Sequence, residues 1–165
     1  MSLAKFVAIR HNYELRESQI EDILIDNPYL LRDHYESLKR QVMFRDKTRA
    51  DIIFYGTPVL VVELKRVSLQ TDDVDQIVGY MKNLQKEGFN NVVGLLVGLD
   101  YDEELQEKVD CTGLTISMKS LGIDIPTELQ KCSKCDRFCG TNHSKCPYCG
   151  HKGMRYWDSA EGKLV

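Results

Sequence analysis

The sequence lacks any hydrophobic run near the roughly 20 residues that a membrane-spanning helix requires. Its N-terminus lacks the charged and then apolar segments of a secretion signal, so we expect a cytoplasmic protein without a membrane anchor. Internal repeats and low-complexity tracts are also missing. With 165 residues, of which 42% are hydrophobic, the chain can form one globular domain of ordinary size and a small appendage.

Without a secretion signal, the six cysteines are not expected to form disulfides, because the cytosol keeps thiols reduced. Four of them form two Cys-x2-Cys pairs, Cys132 with Cys135 and Cys146 with Cys149, separated by ten residues. This spacing is typical of a zinc ribbon, in which four thiolates enclose one structural zinc ion and leave no open coordination position. Three other residues in or beside the module are alternative ligands: Cys139, His143 and His151.

Hydrophobic periodicity predicts the order helix, three strands, helix, strand, helix, strand. The predicted elements lie within residues 17–31, 41–44, 50–55, 59–65, 71–88, 91–98, 102–109 and 114–117. The helical pattern of the first segment stops around Asn27-Pro28. Strand, helix, strand crossovers place the later strands beside a hairpin, so we expect an α/β fold with a mixed sheet flanked by helices. Residues 1–124 would form this domain, and residues 125–165 a linker, up to Lys131, followed by the zinc ribbon.

The second and third strands form a predicted hairpin, joined by Gly56-Thr57-Pro58. One face is apolar throughout, whereas the other carries Asp51, Glu63 and Lys65 far from the turn. A turn centred on Thr57 puts Asp51 opposite Glu63, with Cβ atoms about 5 Å apart. Two ionised carboxylates at that distance repel by about 3 kcal/mol at an effective dielectric constant of 20, which favours a bound Mg²⁺ or Mn²⁺. Solvent-facing charges on an edge strand are the alternative.

Two helices offer further side chains to this site. The helix after Lys65 carries Gln76 and Tyr80 four residues apart, on the flank of its apolar stripe. The first helix carries Glu17 and Glu21, and either could supply another metal ligand. Capping of the helix N-terminus is the alternative role for both acids.

Five segments between roughly residues 14 and 118 form a more specific pattern through their order and spacing. They are Glu21-Asp22-Ile23-Leu24 with Asn27-Pro28, Arg49-Ala50-Asp51, Val61-Val62-Glu63-Leu64-Lys65, Gln76-Ile77-Val78-Gly79-Tyr80 and Val93-Gly94-Leu95-Leu96-Val97. Together they resemble the PD-(D/E)xK nuclease superfamily, and within it the catalytic domain of NucS-type endonucleases.

The resemblance implies a restriction-endonuclease-like fold and Mg²⁺-dependent hydrolysis of phosphodiester bonds in DNA, in repair or restriction. It implies Asp51 and Glu63 as ligands of Mg²⁺ or Mn²⁺, and Lys65 as the group that positions the attacking water. NucS-type enzymes also carry a separate N-terminal DNA-binding and dimerisation domain, for which we expect no room in this chain. The DNA structure that NucS-type enzymes prefer is therefore not implied for this chain.

The resemblance also assigns supporting residues. Glu21 is implied as the helix acid, and it is preferred over Glu17 by its distance to Asn27-Pro28. Gln76 and Tyr80 are implied as supporting residues of the site.

The net charge is only −3, but residues 131–157 hold six Lys or Arg against one acid, Asp136. Basic and aromatic side chains together are what nucleic-acid contacts require. The candidates for DNA contact are Arg49, Lys134, Arg137, Lys145 and Arg155. A docking surface for another nuclease or repair subunit is the alternative, as is a non-catalytic nucleic-acid-binding role for the whole chain. A homodimer is left open.

Overall fold

A computed structural model describes residues 16–121, 129–140, 143–158 and 163–164. The chain divides into two compact units, one formed by residues 34–120 and the other by residues 1–33 with 121–165. Each unit contains its own β-sheet. No helix in these ranges is long and apolar enough to cross a membrane.

The described helices are α1 (Glu17–Asp26), α2 (Thr71–Lys86) and α3 (Glu103–Cys111), with a short 3-10 helix at Pro28–Leu30. The described strands are β1 (Ser37–Met43), β2 (Arg49–Tyr55), β3 (Val59–Leu64), β4 (Val92–Gly98), β5 (Ile116–Ser120), β6 (Leu129–Cys132), β7 (Phe138–Gly140), β8 (Met154–Asp158) and β9 (Lys163–Leu164). The predicted order of the first eight elements is confirmed.

The larger unit contains a five-stranded sheet in the order β1-β2-β3-β4-β5. The first three strands pair antiparallel, whereas β3, β4 and β5 run parallel, with α2 and α3 as the two crossovers. The predicted mixed sheet with helices is therefore confirmed. It brings the end of β3 beside the start of α2, where the candidate site lies.

The core lies between the sheet and the apolar stripe of α2. Val74, Ile77 and Met81 are at most 1% exposed and belong to one cluster with Val61 and Leu96 from the sheet. Every residue of β3 is buried. Apolar residues on both faces of a strand are typical of a sheet that is covered on both sides.

The β2–β3 hairpin has the register that a turn centred on Thr57 predicts. Ile52 faces Val62, and Phe54 faces Leu60. The continuation of this register brings Asp51 opposite Glu63. The predicted parity of the two strands, on which the acidic pair depends, is therefore confirmed.

The first helix ends where its sequence pattern stops, around Asn27-Pro28. Its last residue is Asp26, because Asn27 leaves the helical conformation with φ −132° and ψ 61°. A residue before proline disfavours the helical region, and Pro28 follows directly.

The smaller unit contains a second sheet in the order β7-β6-β8-β9, with antiparallel pairing throughout. Leu129 to Lys131 were predicted as linker but belong to β6, because this strand pairs with both β7 and β8. The rest of the predicted linker, from Ile125, and the domain boundary at residue 125 lie outside the described residues.

Candidate active site and metal centre

Asp51, near the start of β2, is held by two hydrogen bonds. Its Oδ2 accepts from the backbone N–H of Leu64 at 2.7 Å, and its Oδ1 accepts from Nε2 of Gln41 at 3.3 Å. Burial raises the pKa of Asp51, while the Leu64 hydrogen bond opposes that rise. Gln41 was missed by sequence reasoning, since its left-handed backbone, φ +52°, within β1 has no sequence signal such as glycine.

Glu63 is 4% exposed. Its Oε1 lies 3.4 Å from Nζ of Lys65, whereas its Oε2 is buried and has no hydrogen-bond partner in the described part of the chain. Burial, followed by the negative charge of Asp51, raises the pKa of Glu63 to about 8, against the opposing effect of Lys65. Near neutral pH this carboxyl group therefore holds a proton unless a cation replaces it.

The acidic pair fits a divalent cation. A buried carboxylate oxygen without a partner is costly, and a metal ion removes that cost. The two acids have no third acidic or histidine ligand atom close to both, since the one group of three or more potential metal-ligating side chains within the described ranges is a cysteine cluster elsewhere. Mg²⁺ is commonly held by one or two carboxylates while it keeps several waters and binds phosphate oxygens, so two acidic ligands suffice.

Lys65 lies between two acids. Its Nζ is 3.4 Å from Glu63 and 3.8 Å from Oδ1 of Asp73, and its side chain is 26% exposed. The other oxygen of Asp73 accepts from the backbone N–H of Gln70 at 2.7 Å at the start of α2. Sequence reasoning missed Asp73, although its spacing from Gln70 at a helix start resembles a capping box and could have singled it out.

Gln76 and Tyr80 form a hydrogen bond of 2.6 Å from Nε2 to the phenol oxygen. Tyr80 is 2% exposed, and burial, with the nearby charge of Glu63 second, raises its pKa to about 12. The structure thus brings Tyr80 next to the acidic pair, while Gln76 lies on the exposed side of the tyrosine.

Glu21 belongs to α1 in the smaller unit and is 4% exposed, whereas Glu17 is exposed at the start of the helix. The assignment of Glu21 to the site stays a prediction.

The four predicted zinc ligands form one cluster. The Sγ atoms of Cys132 and Cys149 lie 3.6 Å apart, those of Cys135 and Cys146 lie 3.5 Å apart, and all four lie within 4.8 Å of one another. Tetrahedral zinc with bonds of about 2.3 Å separates its sulfur ligands by about 3.8 Å, so the cluster fits a zinc ion.

The two Cys-x2-Cys turns have the same backbone geometry. Asp136 and Gly150 follow the second cysteine of each pair, with φ +61° and +75°, and donate to the carbonyl of the first cysteine at 3.0 and 2.9 Å. The next residue returns a carbonyl to the N–H of the first cysteine in both turns, Arg137 at 3.0 Å and His151 at 2.8 Å. Two matched turns are typical of a zinc ribbon.

The alternative zinc ligands lie outside this cluster. Cys139 is buried in β7. His151 places Nε2 3.1 Å from Oγ of Ser133, and His143 is exposed. The four paired cysteines are therefore the set that fits the ion.

The basic residues that are predicted to contact DNA differ in their surroundings. Arg49 is exposed at the start of β2, and its charge opposes the rise that burial causes in the pKa of Asp51. Arg137 instead forms an ion pair with Asp26, with Nε 2.7 Å from Oδ1. The remaining candidates are exposed on the ribbon: Lys134, Lys145 and Arg155.

No protein-family model and no curated protein sequence matches the chain. Solved structures do match it. A repair endonuclease from Pyrococcus abyssi shares 22% identity over 67% of this chain and 49% of its own length, with a TM-score of 0.54. EndoMS in a complex with double-stranded DNA shares 20% identity over 67% and 48%, with a TM-score of 0.55, and apo EndoMS shares 18% over 66% and 47%, with a TM-score of 0.50.

The chain thus spans about half the length of these endonucleases and has their fold. The resemblance to a NucS-type nuclease domain that the sequence predicts is confirmed at the level of fold. At these identities the likeness does not extend to activity.

Proposed function

We propose that this protein is a Mg²⁺-dependent DNA endonuclease that hydrolyses phosphodiester bonds in DNA repair or restriction. The observation that carries the proposal is the buried, unpartnered Oε2 of Glu63 beside Asp51, with the Lys65 ammonium 3.4 Å from the same carboxylate. Two carboxylates and a lysine at the ends of neighbouring strands suit phosphate chemistry, since the acids would hold a cation and the ammonium would face the anion.

Asp51 and Glu63 are proposed to hold Mg²⁺ or Mn²⁺, which when bound would offset phosphate charge and lower the pKa of a water. Lys65 positions that water and stabilises the negative charge of the transition state, and Asp73 keeps the ammonium in place from its other side. Tyr80 stays neutral at physiological pH because its pKa is about 12, so it can donate a hydrogen bond toward Glu63.

The remaining predicted residues have supporting roles in this proposal. Glu21 is proposed as the additional acid supplied by α1, and Gln76 orients the phenol of Tyr80 through their 2.6 Å hydrogen bond.

DNA is the proposed substrate because one solved relative in fold, EndoMS, forms a complex with double-stranded DNA. Arg49 lies close enough to Asp51 to affect its pKa, so it would contact a phosphate near the cleaved bond. Exposed basic residues of the ribbon would supply further contacts to DNA phosphates: Lys134, Lys145 and Arg155.

The test is cleavage of single-stranded, duplex, mismatched and branched DNA with and without Mg²⁺ or Mn²⁺. We expect metal-dependent cleavage by the unaltered protein and a loss of at least about 100-fold in both Glu63→Gln and Lys65→Met, because each removes one charge at the reacting centre.

Lys82→Ala serves as the control, since it removes an exposed positive charge from α2 away from the acidic pair. Circular dichroism of each variant checks that it is folded. Cleavage by folded Glu63→Gln at the unaltered rate would refute the assignment. Metal-independent DNA binding without cleavage by the unaltered protein would favour a binding or docking subunit.

A further inference from the structure

The C-terminal end of α1 is not stabilised by the sequence of the helix itself. The helix has only ten residues, and helices this short are marginal in water without tertiary contacts. Its last turn contains no basic residue, and its last residue is Asp26. A negative charge at the negative end of the helix dipole destabilises the helix, so α1 requires a positive charge or hydrogen-bond donors from elsewhere.

The two Cys-x2-Cys turns supply both a positive charge and hydrogen-bond donors to the end of α1. Arg137, directly after the first turn, places Nε 2.7 Å from Oδ1 of Asp26. The backbone N–H of Phe138 donates to Oδ2 of Asp26 at 3.1 Å. Tyr148, between the two cysteines of the second turn, donates its hydroxyl to the backbone carbonyl of Asp26. Both Cys-x2-Cys turns thus contribute a contact to the last residue of one helix.

Two further contacts make these interactions a connected group. The Arg137 guanidinium lies 3.5 Å from the centre of the Tyr148 ring, so the two side chains hold each other in place. Asn27 is 3% exposed, and its Nδ2 donates to Ile23 at 2.9 Å and to the carbonyl of Phe138 at 3.4 Å. The helix end and the ribbon are therefore tied through both side-chain and backbone groups.

We propose that Arg137 and Tyr148 are positioning residues, which make the zinc ribbon the C-terminal cap of α1 and thereby fix the helix that carries Glu21. A zinc ion held by the four cysteines would join both turns, so zinc occupancy is expected to affect how firmly α1 is held. This inference rests on the proposed function only where it links α1 to nuclease activity. It gives Arg137 a role besides the predicted DNA contact, since its guanidinium contacts Asp26 and Tyr148 while its side chain is 45% exposed.

The test is amide hydrogen exchange in the full zinc-loaded chain, followed at the last turn of α1, residues 24–27. In the double variant Arg137→Gln/Tyr148→Phe, we expect protection of these amides to fall by about tenfold, because a helix loses a favourable charge and a donor at its C-terminus. Removal of zinc by a chelator should reduce the same protection at least as much. Lys152→Gln is the control, since it removes an exposed charge of the ribbon that contacts neither Asp26 nor Tyr148.

Kinetics distinguish this role from DNA contact. A positioning role lowers kcat and leaves the KM for DNA unchanged, whereas loss of a phosphate contact raises KM. Unchanged amide protection in the zinc-containing double variant, with or without a raised KM, would overturn the proposal. If zinc is lost from the double variant, Tyr148→Phe alone is compared, since it keeps every charge. An unaltered protein that cleaves no DNA would refute the proposed function, while the exchange result would still decide whether the ribbon caps α1.

Discussion

At the scale of single residues, Glu63 combines a buried oxygen that lacks a partner with a raised pKa. The folded-state value of about 8 exceeds the ordinary value of 4.5, so folding favours the protonated form. Without metal, the stability that this proton contributes is complete below pH 4.5 and is lost as the pH rises through 8. A bound cation reverses the preference, because it favours the ionised carboxylate.

Binding of Mg²⁺ is therefore expected to release a proton. At pH 7 about one proton should leave for each Mg²⁺ bound, because Glu63 is largely protonated before binding, and the number should fall toward zero at pH 9. Calorimetric titration in two buffers of different ionisation enthalpy measures this number.

Glu63→Gln provides the matched comparison, since its side chain has the same size and no titratable proton. Tight binding of Mg²⁺ at pH 7 without any proton release would contradict the assignment of Glu63 as a ligand.

The sequence predicted some of the site residues but not all. Asp51 and Glu63 follow from strand parity, which depends only on the alternation of side chains in a hairpin. Asp73 and Gln41 do not, because they approach from α2 and β1. The spacing of Asp73 from Gln70 indicates a helix start, but its contact with Lys65 depends on packing. Gln41 depends on an irregular backbone, for which the sequence has no local signal.

At the scale of elements, α2 supports the site because it packs closely on β4. A Cβ added at Gly94 would lie 3.0 Å from Ile77 and Met81 of the helix. A Cβ added at Gly98, at the end of β4, would lie 2.4 Å from Cγ of Leu69, which precedes α2. The helix that carries Asp73 and Tyr80 thus depends on small residues in the strand below it.

Two glycine substitutions should have opposite effects on stability. Gly98→Ala is expected to lower the free energy of unfolding by about 1–3 kcal/mol, since Leu69 must move. Gly79→Ala, within α2 and with nothing inside 4 Å of the added atom, should raise it by up to about 1 kcal/mol. Urea denaturation measures both, and a Gly98→Ala variant as stable as the unaltered protein would contradict the close packing.

Element identity was more predictable than element ends. Long apolar periodicities gave α2 and β4 within about two residues, and Gly88, with φ +103°, ends α2 as expected. The strand β6 escaped prediction because Leu129 to Lys131 form a short segment that becomes a strand only through pairing with β7 and β8.

At the scale of the whole molecule, the two candidate metal sites belong to different units. The acidic pair and Lys65 lie in residues 34–120, whereas the four-cysteine cluster lies in the unit that also contains α1. The smaller unit therefore joins α1 to the ribbon, more than 100 residues later in the chain, which no local sequence pattern predicts.

Zinc is expected at about one ion per chain, held by the four clustered cysteines. Cys146→Ser should lose the ion and lower the melting temperature of the smaller unit, because a structural zinc site contributes directly to folding. Metal analysis with a melting curve measures both effects. Cys111→Ser is the matched control, since Cys111 is an exposed thiol at the end of α3 and should leave zinc content unchanged. Full zinc content in Cys146→Ser would exclude the four-thiolate site.

The irregular edge of the larger sheet has a consequence for self-association. An edge strand can add a strand from another molecule, and β1 is such an edge. Lys39 and Arg40 are exposed on β1, and Gln41 interrupts it with a left-handed backbone. The positive charges of Lys39 and Arg40 and the distorted backbone at Gln41 both oppose the addition of a further strand. The conformation that turns the Gln41 amide toward Asp51 therefore also protects the protein from edge-to-edge aggregation.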